Sequence, residues 1–508
     1  MPQLHDSTSR AQGEPNAHEH GFDRIFGLET EYGVSVTGAD HAVQAANAAV
    51  AMFRPIVEHT RSTNTYLANG SRLYLDVGAH PEYATAEARM PSDALLADAA
   101  GERIMRSMAL NAQEQLRDAV GSAARIHLFK NNADSAGHSF GCHENYLVRR
   151  FVGLTDITDQ LLPLLISRQI ITGAGRFADG RFSITQRALF VDETVSSATT
   201  RSRPMVNTRD EPHANPEEFR RLHVIIGDSN RSQWATRMKL AITHLVLCVI
   251  EYHARHQESS ALSLMALADP VDANHAVDEH GVQAQLQLAS GDHVSALQMQ
   301  RRYWQACATF LDAHAHAVDA SLGQPGAALQ ILDEWRVVLD ELERDDIASL
   351  ATRVDWAAKL HLFSQLVARR LGCDVDQARA LLRQPGALPP ALALQLAQLD
   401  FDYHDIANGA VFDALVRHGR MIEEVSAQQA DEARHTPPAG TRAVLRGRFV
   451  QLAAEAHVRH ACDWTTLELL EPHKTTVSLL DPFEDQPDAQ LSAIFDQLEA
   501  RIALHETR

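Results

Sequence analysis

The chain has 508 residues, of which 45% are hydrophobic and 22% are charged, and its formal net charge is -20 at pH 7. This length predicts two or three domains, and the composition is typical of a soluble globular protein. The negative charge argues against general nucleic-acid binding, which needs Lys and Arg to neutralise phosphates. The five cysteines are odd in number and form no Cys-x-x-Cys pair. This pattern indicates reduced thiols in a cytoplasmic protein, with neither a disulfide framework nor a zinc site.

The two segments that could suggest a membrane do not support one. Residues 1–21 contain no apolar stretch of the kind found in signal peptides, and we expect them to form a disordered leader. The most apolar run, residues 240–250, is too short to span a bilayer and is predicted to be a buried helix. We therefore expect no membrane partner.

The predicted elements change in character along the chain. The first half is rich in strands, interrupted by a few helices, and the stretch from 232 to about 434 is mostly helical, with a weaker pattern at 259–291. A Pro- and Gly-rich break at 435–443 precedes a small C-terminal domain. The predicted strands are 23–36, 72–77, 124–132, 141–150, 181–193 and 220–228, and the first predicted helices are 41–60, 92–120 and 155–171.

This order predicts the fold class and the domains. A β-rich first half followed by a helical second half favours an α+β fold over an alternating parallel one. We expect a disordered leader (1–21), a large domain (22–436) and a small C-terminal domain (437–508).

The stretch GSRLYLDVGAHPEYATAE, residues 70–87, carries unusual charge for an apolar strand. Alternate residues of a strand face the same way, so Arg72, Tyr74 and Asp76 share one face and the two leucines between them share the other. In the same way, Glu29 and Glu31 share a face of the first strand. The leucines can pack in a core, whereas the polar residues would line a cavity.

Several carboxylates on one surface repel one another unless a cation lies between them. Glu82 and Glu87 lie just beyond the strand that begins at Arg72 and add to this set. Oxygen ligands without Cys or paired-His spacing favour Mg²⁺ or Mn²⁺. The alternative is that these carboxylates form structural ion pairs with neighbouring arginines, and for Glu29 taken alone both interpretations stay open.

A second candidate site is the polar segment SSATTRSRPMVNTRDEPHA, residues 196–214. Arg201, Arg203 and Arg209 lie there among hydroxyl side chains, and such a group suits the recognition of phosphate or carboxylate. The alternative is a solvated loop that happens to contain three arginines. His213, within this segment, and His223, shortly after it, lie close to these arginines in sequence and are the two histidines of interest.

These motifs resemble the family of Pup ligases and Pup deamidases over most of the chain, from about Arg24 to Phe483. The family has a glutamine-synthetase-like fold, so the resemblance implies a large domain in which a curved antiparallel sheet packs against helices. Deamidases of the family carry a long insertion after the first strand, and its absence here favours the ligases. The matching segments, in order, are RIFGLETEYGV, NGSRLYLDVGAHPEYATAE, LFKNNADSAGHSFGCHENYLV, VSSATTRSRPMVNTRDEPHA, RRLHVIIGDSN, LDFDYHDI and DPF.

The resemblance also implies an activity and a set of roles. It implies an ATP-dependent ligase that phosphorylates the γ-carboxylate of the C-terminal Glu of the ubiquitin-like modifier Pup and joins it to lysine ε-amines of other proteins. The implied roles are Mg²⁺ binding for Glu29, Tyr74 and Glu82, ATP contact for Arg72, Thr85 and Trp464, and the catalytic base for Asp76. As further contacts to metal, phosphate or the Pup carboxylate, we predict Glu31, Glu87, Glu144, Arg201 and Arg203.

Two other activities remain possible at this point. A deamidase or depupylase would use the same site with water, and a relative of glutamine synthetase would join glutamate to a small amine. The expected partners are Pup or a Pup-like modifier and lysine-bearing proteins. The ligases of this family are typically monomeric, and we expect a monomer.

Overall fold

The computed structural model describes residues 21–76, 78–196, 203–207, 209, 211–471 and 473–506. The predicted leader before Gly21 and the predicted site residue Arg201 lie outside these ranges. The strands are β1 (Phe26–Glu31), β2 (Gly33–Thr37), β3 (Asn64–Tyr66), β4 (Arg72–Leu75), β5 (Pro81–Ala84), β6 (Arg125–Phe129), β7 (Cys142–Arg149), β8 (Arg176–Ala178), β9 (Arg181–Ser183), β10 (Glu193–Ser196), β11 (Pro204–Asn207), β12 (Phe219–Val224), β13 (Gln285–Gln287), β14 (His293–Ser295), β15 (His460–Cys462), β16 (Thr466–Leu469) and β17 (Thr475–Ser478).

Helices make up most of the second half of the chain, as predicted. Within the described ranges, no helix combines the length and the apolar character needed to cross a lipid bilayer. The helices are α1 (Ala45–Thr60), α2 (Pro91–Val120), α3 (Leu154–Asp156), α4 (Leu162–Ser167), α5 (Gln169–Thr172), α6 (Gln233–His256), α7 (Pro270–His280), α8 (Ala296–Ser321), α9 (Ala327–Glu343), α10 (Ile347–Leu350), α11 (Asp355–Leu371), α12 (Val375–Arg383), α13 (Pro390–His404), α14 (Val411–Arg417), α15 (Ala427–Glu432), α16 (Ala443–Glu455) and α17 (Ala489–Glu506).

The main sheet has eight strands in the order β10-β11-β12-β7-β1-β5-β4-β3. All neighbours pair antiparallel except β10 and β11, which are parallel. Phe26 and Leu28 of β1 are buried in the main core together with the apolar run of α6, so one face of the sheet packs against helices. The α+β prediction is therefore confirmed, and so is the buried helix at 240–250.

The other face of the sheet, which we call the open face, carries the polar residues of the first strands. Residues 27, 29 and 31 of β1 are partly exposed, whereas the alternating ones are buried. In β4, Leu73 is buried beneath the sheet, and Arg72 and Tyr74 are partly exposed. The predicted alternation in both strands is confirmed.

Three strand predictions are corrected by the structure. The segment 23–36 forms two strands instead of one, because the chain leaves the main sheet at Tyr32 and β2 pairs with β6. The segment 181–193 forms a short hairpin strand, a 3-10 turn and the start of β10. The four-residue strand β5 was not predicted, because so short a segment that begins with Pro shows little alternation.

Contacts around Tyr83 fix β5 between α2 and the loop before β4. A Cβ at Gly101 of α2 would come within 2.3 Å of the Tyr83 ring, so only glycine allows this approach. The Tyr83 hydroxyl donates a hydrogen bond to Ser71 Oγ at 2.9 Å and accepts one from Asn69 Nδ2 at 3.0 Å. These contacts hold the strand that carries Glu82 in a defined position.

The C-terminal segment has a core of its own, which supports the predicted small domain. Apolar residues of α16, β16, β17 and α17 form this core, and Tyr66 of β3 packs against it. The boundary at residues 436 and 437 remains a prediction.

A buried ion-pair cluster of Glu87, Arg442 and Arg446 joins this segment to the main sheet. Glu87 Oε1 accepts hydrogen bonds from Arg442 Nε at 2.7 Å and Arg446 Nη1 at 3.1 Å, and its other oxygen accepts from Arg446 Nη2. Arg446 also donates to the carbonyls of Gly70 at 2.8 Å and Trp464 at 3.1 Å. Burial alone would raise the pKa of Glu87, but the two guanidinium groups lower it to about 2.

We predict that Glu87→Gln destabilises the protein by about 3 kcal/mol at pH 7, because it leaves two buried guanidinium groups without their carboxylate. The native pKa of Glu87 lies below the ordinary value, so its contribution is present above pH 4.5 and lost as the pH falls toward 2. The difference between the wild type and the variant should therefore narrow by roughly 1 kcal/mol at about pH 3.5. Urea unfolding of the wild type and the variant, at pH 7 and at about pH 3.5, measures this difference in the free energy of unfolding.

The matched control is Glu499→Gln, which removes a carboxylate from the half-exposed pair with Arg448 in the same segment. An exposed pair of this kind contributes less than about 1 kcal/mol. If the two variants lost the same stability, the buried cluster would not be the contact that attaches the C-terminal segment.

Candidate active site

Strand register brings three carboxylates together on the open face. Glu31 of β1 lies opposite Glu82 of β5, and Glu82 lies opposite Tyr74 of β4. Asp76 follows β4, where its N–H donates to the His80 carbonyl at 2.9 Å. One oxygen each of Glu31, Asp76 and Glu82 lies within 4.8 Å of the others. We call these three residues the acidic cluster.

The position of Glu82 disfavours its charged form. Glu82 is only 2% exposed, and burial, together with the charges of Glu29 and Glu31, raises its pKa well above the ordinary value. A buried carboxylate among other carboxylates is stabilised when a cation lies between them. Hard oxygen donors are the set that Mg²⁺ prefers, so the acidic cluster fits a magnesium ion. Of the ligands implied by the resemblance, Glu82 belongs to this cluster, Tyr74 lies opposite Glu82 on β4, and Glu29 lies in a neighbouring group.

Glu29 belongs to a neighbouring group on the same face. His143 Nδ1 lies 3.2 Å and His223 Nε2 lies 3.6 Å from Glu29 Oε2, and Asn145 Nδ2 donates to Oε1 at 3.0 Å. Burial raises the pKa of Glu29, but His143, His223 and Arg221 outweigh it and hold that pKa low. Burial also lowers the pKa of His223 to about 3, so this imidazole is neutral and free to act as a ligand. Glu29 and the two histidines thus form a second set that fits a metal ion.

From the sequence, no role was assigned to the side chains that surround Glu29. His143 and Arg221 were not predicted, and His223 was noted only for its place in the sequence. Arg187, which is only 2% exposed, was also missed. Burial lowers the pKa of its guanidinium group, and the nearby charge of Glu31 acts in the opposite direction. Alternation in CHENYLV and RRLHV places His143 with Asn145 and Arg221 with His223, so a period-two reading of these strands could have found them. Nothing in the sequence around Arg187 indicates its position.

A cavity of about 80 Å³ extends from Glu29 to the C-terminal segment. Thr85 and Trp464 line it, as do the backbone of β1 and Arg221. The Thr85 hydroxyl accepts a hydrogen bond from the Leu28 N–H at 3.0 Å. The Trp464 ring meets Tyr66 edge to face at 5.2 Å, so the structure brings Thr85 and Trp464 to one pocket although they are far apart in sequence.

Arg72 lies on the same face as Glu29, because both residues pair with Ala84 of β5. Its guanidinium carbon lies 4.3 Å from the centroid of the Tyr74 ring, and Nε donates to Asn64 Oδ1 at 2.8 Å. The end of the guanidinium group is therefore available for an anion near the acidic cluster.

The remaining predicted residues lie outside the acidic cluster. Glu144 faces the helices, where it is 0% exposed and pairs with Arg168. Its predicted role as a metal or phosphate contact is corrected, because its carboxylate is paired with a buried arginine on the other side of the sheet. Glu87 lines the cavity that contains Thr85 and Trp464, and its carboxylate is held in the ion-pair cluster at the C-terminal segment, so its predicted role remains a prediction. Arg203 is exposed, and its backbone N–H donates to Asp192 Oδ1 at 3.3 Å.

Comparison with known proteins identifies the family of this chain. The family model described as "Pup-ligase protein" matches residues 24–468. The Pup–protein ligase of Bifidobacterium animalis subsp. lactis (strain AD011) is 55% identical, with 98% of each chain covered. The enzyme of the same name from Bifidobacterium longum (strain NCC 2705) is 54% identical, covering 98% of this chain and 100% of the relative.

Two solved structures are also similar. The crystal structure of Pup in complex with its ligase PafA matches with a TM-score of 0.82 and 33% identity, covering 96% of this chain and 93% of that chain. The structure of the Pup ligase PafA in complex with ADP matches with a TM-score of 0.74 and 33% identity, covering 90% and 94%. The family model and the relatives cover nearly the whole chain, and the chain belongs to the Pup ligase family.

Proposed function

We propose that this chain is an ATP-dependent ligase that joins Pup to lysine side chains of other proteins. The observation that carries the proposal is the continuity of the site: a pocket between Thr85 and Trp464 ends at Glu29, beside the acidic cluster. The relatives at 55% and 54% identity are both named Pup–protein ligases. Their names support a ligase over a deamidase and over a small-amine ligase.

The lining of the pocket supports one orientation of ATP. The adenine ring would lie at the Trp464 end, beside an aromatic ring and the backbone of β1, and the phosphates would extend toward Glu29 and Arg72. Glu29, Tyr74 and Glu82, with Glu31 beside them, would hold Mg²⁺. When bound there, Mg²⁺ supplies positive charge to the phosphate oxygens. Arg72 binds the same oxygens through the end of its guanidinium group.

The reaction needs both an activated acid and a neutral amine. A carboxylate is a poor electrophile, so the γ-phosphate of ATP passes to the γ-carboxylate of the C-terminal Glu of Pup, which gives a glutamyl phosphate and ADP. The lysine ε-ammonium must lose a proton before its nitrogen can attack. Asp76 accepts that proton or orients the amine. Nitrogen then bonds to the acyl carbon, phosphate leaves, and an isopeptide bond remains.

Three further properties accompany this proposal. An active monomer is part of the proposal, since the ligases that the sequence resembles are typically monomeric. The five cysteines are free thiols, which supports a reducing, cytoplasmic environment. Site residues of β1 and β4 are partly exposed on the open face, which supports substrates as large as a protein tail and a folded lysine-bearing protein.

Trapping with hydroxylamine tests the first step by itself. Wild-type protein with ATP, Mg²⁺ and Pup ending in Glu should convert Pup to its γ-glutamyl hydroxamate, because hydroxylamine attacks acyl phosphates. Mass spectrometry of Pup detects the product. Hydroxamate formed equally well without ATP would contradict the proposed activation.

We predict that Trp464→Ala raises the KM for ATP by roughly tenfold, the effect expected from losing one aromatic face beneath a base. Trp464→Phe keeps an aromatic ring and should stay within about threefold of the wild type. Initial rates of ADP formation at varied ATP measure both variants. An unchanged KM in Trp464→Ala would place the adenine elsewhere.

We predict that Asp76→Asn retains ATP binding but loses conjugation, because the amide cannot accept the lysine proton. Conjugation should fall by roughly 10²–10⁴-fold, the usual contribution of a general base. A fluorescent ATP analogue measures binding, and gel analysis of Pup conjugates measures ligation. Asp118→Asn, an exposed position on α2, is the matched control and should behave as the wild type. Normal conjugation by Asp76→Asn would refute the assignment.

A further inference from the structure

A large cavity among the described residues lies away from the proposed nucleotide pocket and shares none of its lining residues. Its volume is about 470 Å³, within the range of pockets that bind small molecules. It lies between α2, the start of α6 and the stretch from Ile406 to Ala430. Helices α2 and α6 cover the sheet face opposite the acidic cluster, so this cavity is separate from the proposed active site.

A buried arginine with free donors lines this cavity. Arg231 immediately precedes the first turn of α6 and is only 7% exposed. Its Nε and Nη1 have no hydrogen-bond partner among the residues that the structure describes. Nη2 lies 4.0 Å from Glu102 Oε2 and 3.7 Å from Asp413 Oδ1, beyond hydrogen-bond distance. A buried guanidinium group with unused donors is costly unless a further acceptor binds it.

Two of the other cations in the cavity wall are already paired. Lys130 Nζ lies 2.6 Å from Asp98 and 2.7 Å from Glu102. Arg103 forms two hydrogen bonds with Asp431, at 3.1 Å and 2.5 Å. In these three ion pairs, Asp98 and Glu102 share one lysine, and Asp431 is paired with Arg103.

Acidic and basic side chains meet in this part of the cavity. Arg106 lies 3.5 Å and Arg231 lies 3.7 Å from the Asp413 carboxylate, and the exposed Arg417 donates through Nε to the Asp413 backbone carbonyl at 3.2 Å. Two guanidinium groups thus share one carboxylate, and Glu423 also lines the cavity. Arg231 is the buried cation of this group whose donors the described residues leave unused.

The same part of the cavity also offers an apolar surface. The guanidinium carbon of Arg231 lies 4.4 Å from the centroid of the Phe412 ring. Leu95, Ile406 and Val416 line the cavity as well. A ligand that fits this surface has one anionic end for the free donors of Arg231 and an apolar body.

We propose that this cavity is a binding site for a small organic anion, whose carboxylate or phosphate group binds Arg231 while its apolar part packs against Phe412. Arg106 and Arg417 add positive charge at the entrance. The site is independent of the proposed ligase activity, because no residue assigned to the acidic cluster or the nucleotide pocket takes part in it.

Benzoate and phenyl phosphate test the proposal, because they share an apolar ring and differ in the anionic group. Calorimetric titrations are run with the nucleotide pocket saturated by ADP and Mg²⁺. We expect at least one probe to bind with a Kd below about 10 mM. Arg231→Met should weaken that binding at least about tenfold, and Arg106→Met should weaken it less. Binding of benzoate alone identifies a carboxylate ligand, and binding of phenyl phosphate alone identifies a phosphate.

The matched control is Arg336→Met, which removes the same charge from a half-exposed position on α9 and should leave probe binding unchanged. Failure of both probes to bind the wild type would overturn the proposal, as would equal binding by Arg231→Met.

Stability without ligand separates a ligand-binding arginine from a structural one. If the charge of Arg231 is unsatisfied, Arg231→Met should unfold in urea at the same or a higher concentration than the wild type. The probe should then raise the unfolding midpoint of the wild type only. A marked loss of stability in ligand-free Arg231→Met, or a variant too unstable to purify, would contradict the proposal, because it would mean that Glu102 and Asp413 already satisfy the charge.

Discussion

Repulsion among carboxylates held by strand register is the constraint on which the site depends. Glu31 and Glu82 lie opposite each other because β1 and β5 are paired, and Asp76 is brought to them by the turn after β4. Water cannot relieve this repulsion for Glu82, which is buried, so its pKa rises. The fold therefore holds a site that fits a cation, and this is a physical reason for an otherwise apolar strand to carry so much charge.

The C-terminal segment completes the site through a different electrostatic interaction. Glu87 is fully paired with Arg442 and Arg446, and Arg446 also binds the carbonyl of Trp464. The same ion pairs that attach the segment thus position the aromatic wall of the nucleotide pocket. The two buried carboxylates, Glu82 and Glu87, have opposite pKa shifts. Among the described residues, Glu82 is paired with no basic side chain and its pKa is raised, whereas Glu87 is paired with two and its pKa is lowered.

Local geometry explains which parts of the site were predictable. Alternation along a strand depends only on the backbone, so Glu29 and Glu31 could be placed on one face from the sequence, as could Arg72 and Tyr74. The partners of Glu87 and Glu144 are decided by tertiary packing, and no local pattern indicates them. Tertiary packing also decides that Arg187 lies near Glu31, and no local pattern in the sequence indicates it.

Among the helices and strands, too, local patterns were predictable and tertiary pairing was not. The long helices α2 and α6 were predictable because their apolar patterns continue over many turns. The break at Tyr32 and the four-residue strand β5 were not, because both depend on which strands pair in the folded sheet. The family resemblance supplied what neither periodicity nor spacing could, namely the contribution of Trp464 to a pocket lined mainly by residues of the first half of the chain.

Intact-mass spectrometry of a lysine-bearing protein tests the central claim most directly. The wild-type chain is incubated with that protein, ATP, Mg²⁺ and Pup ending in Glu. A ligase predicts a mass gain equal to Pup minus one water that depends on ATP. No gain, together with conversion of Pup ending in Gln to Pup ending in Glu or cleavage of a preformed conjugate in parallel samples, would contradict the account and assign the site to hydrolysis.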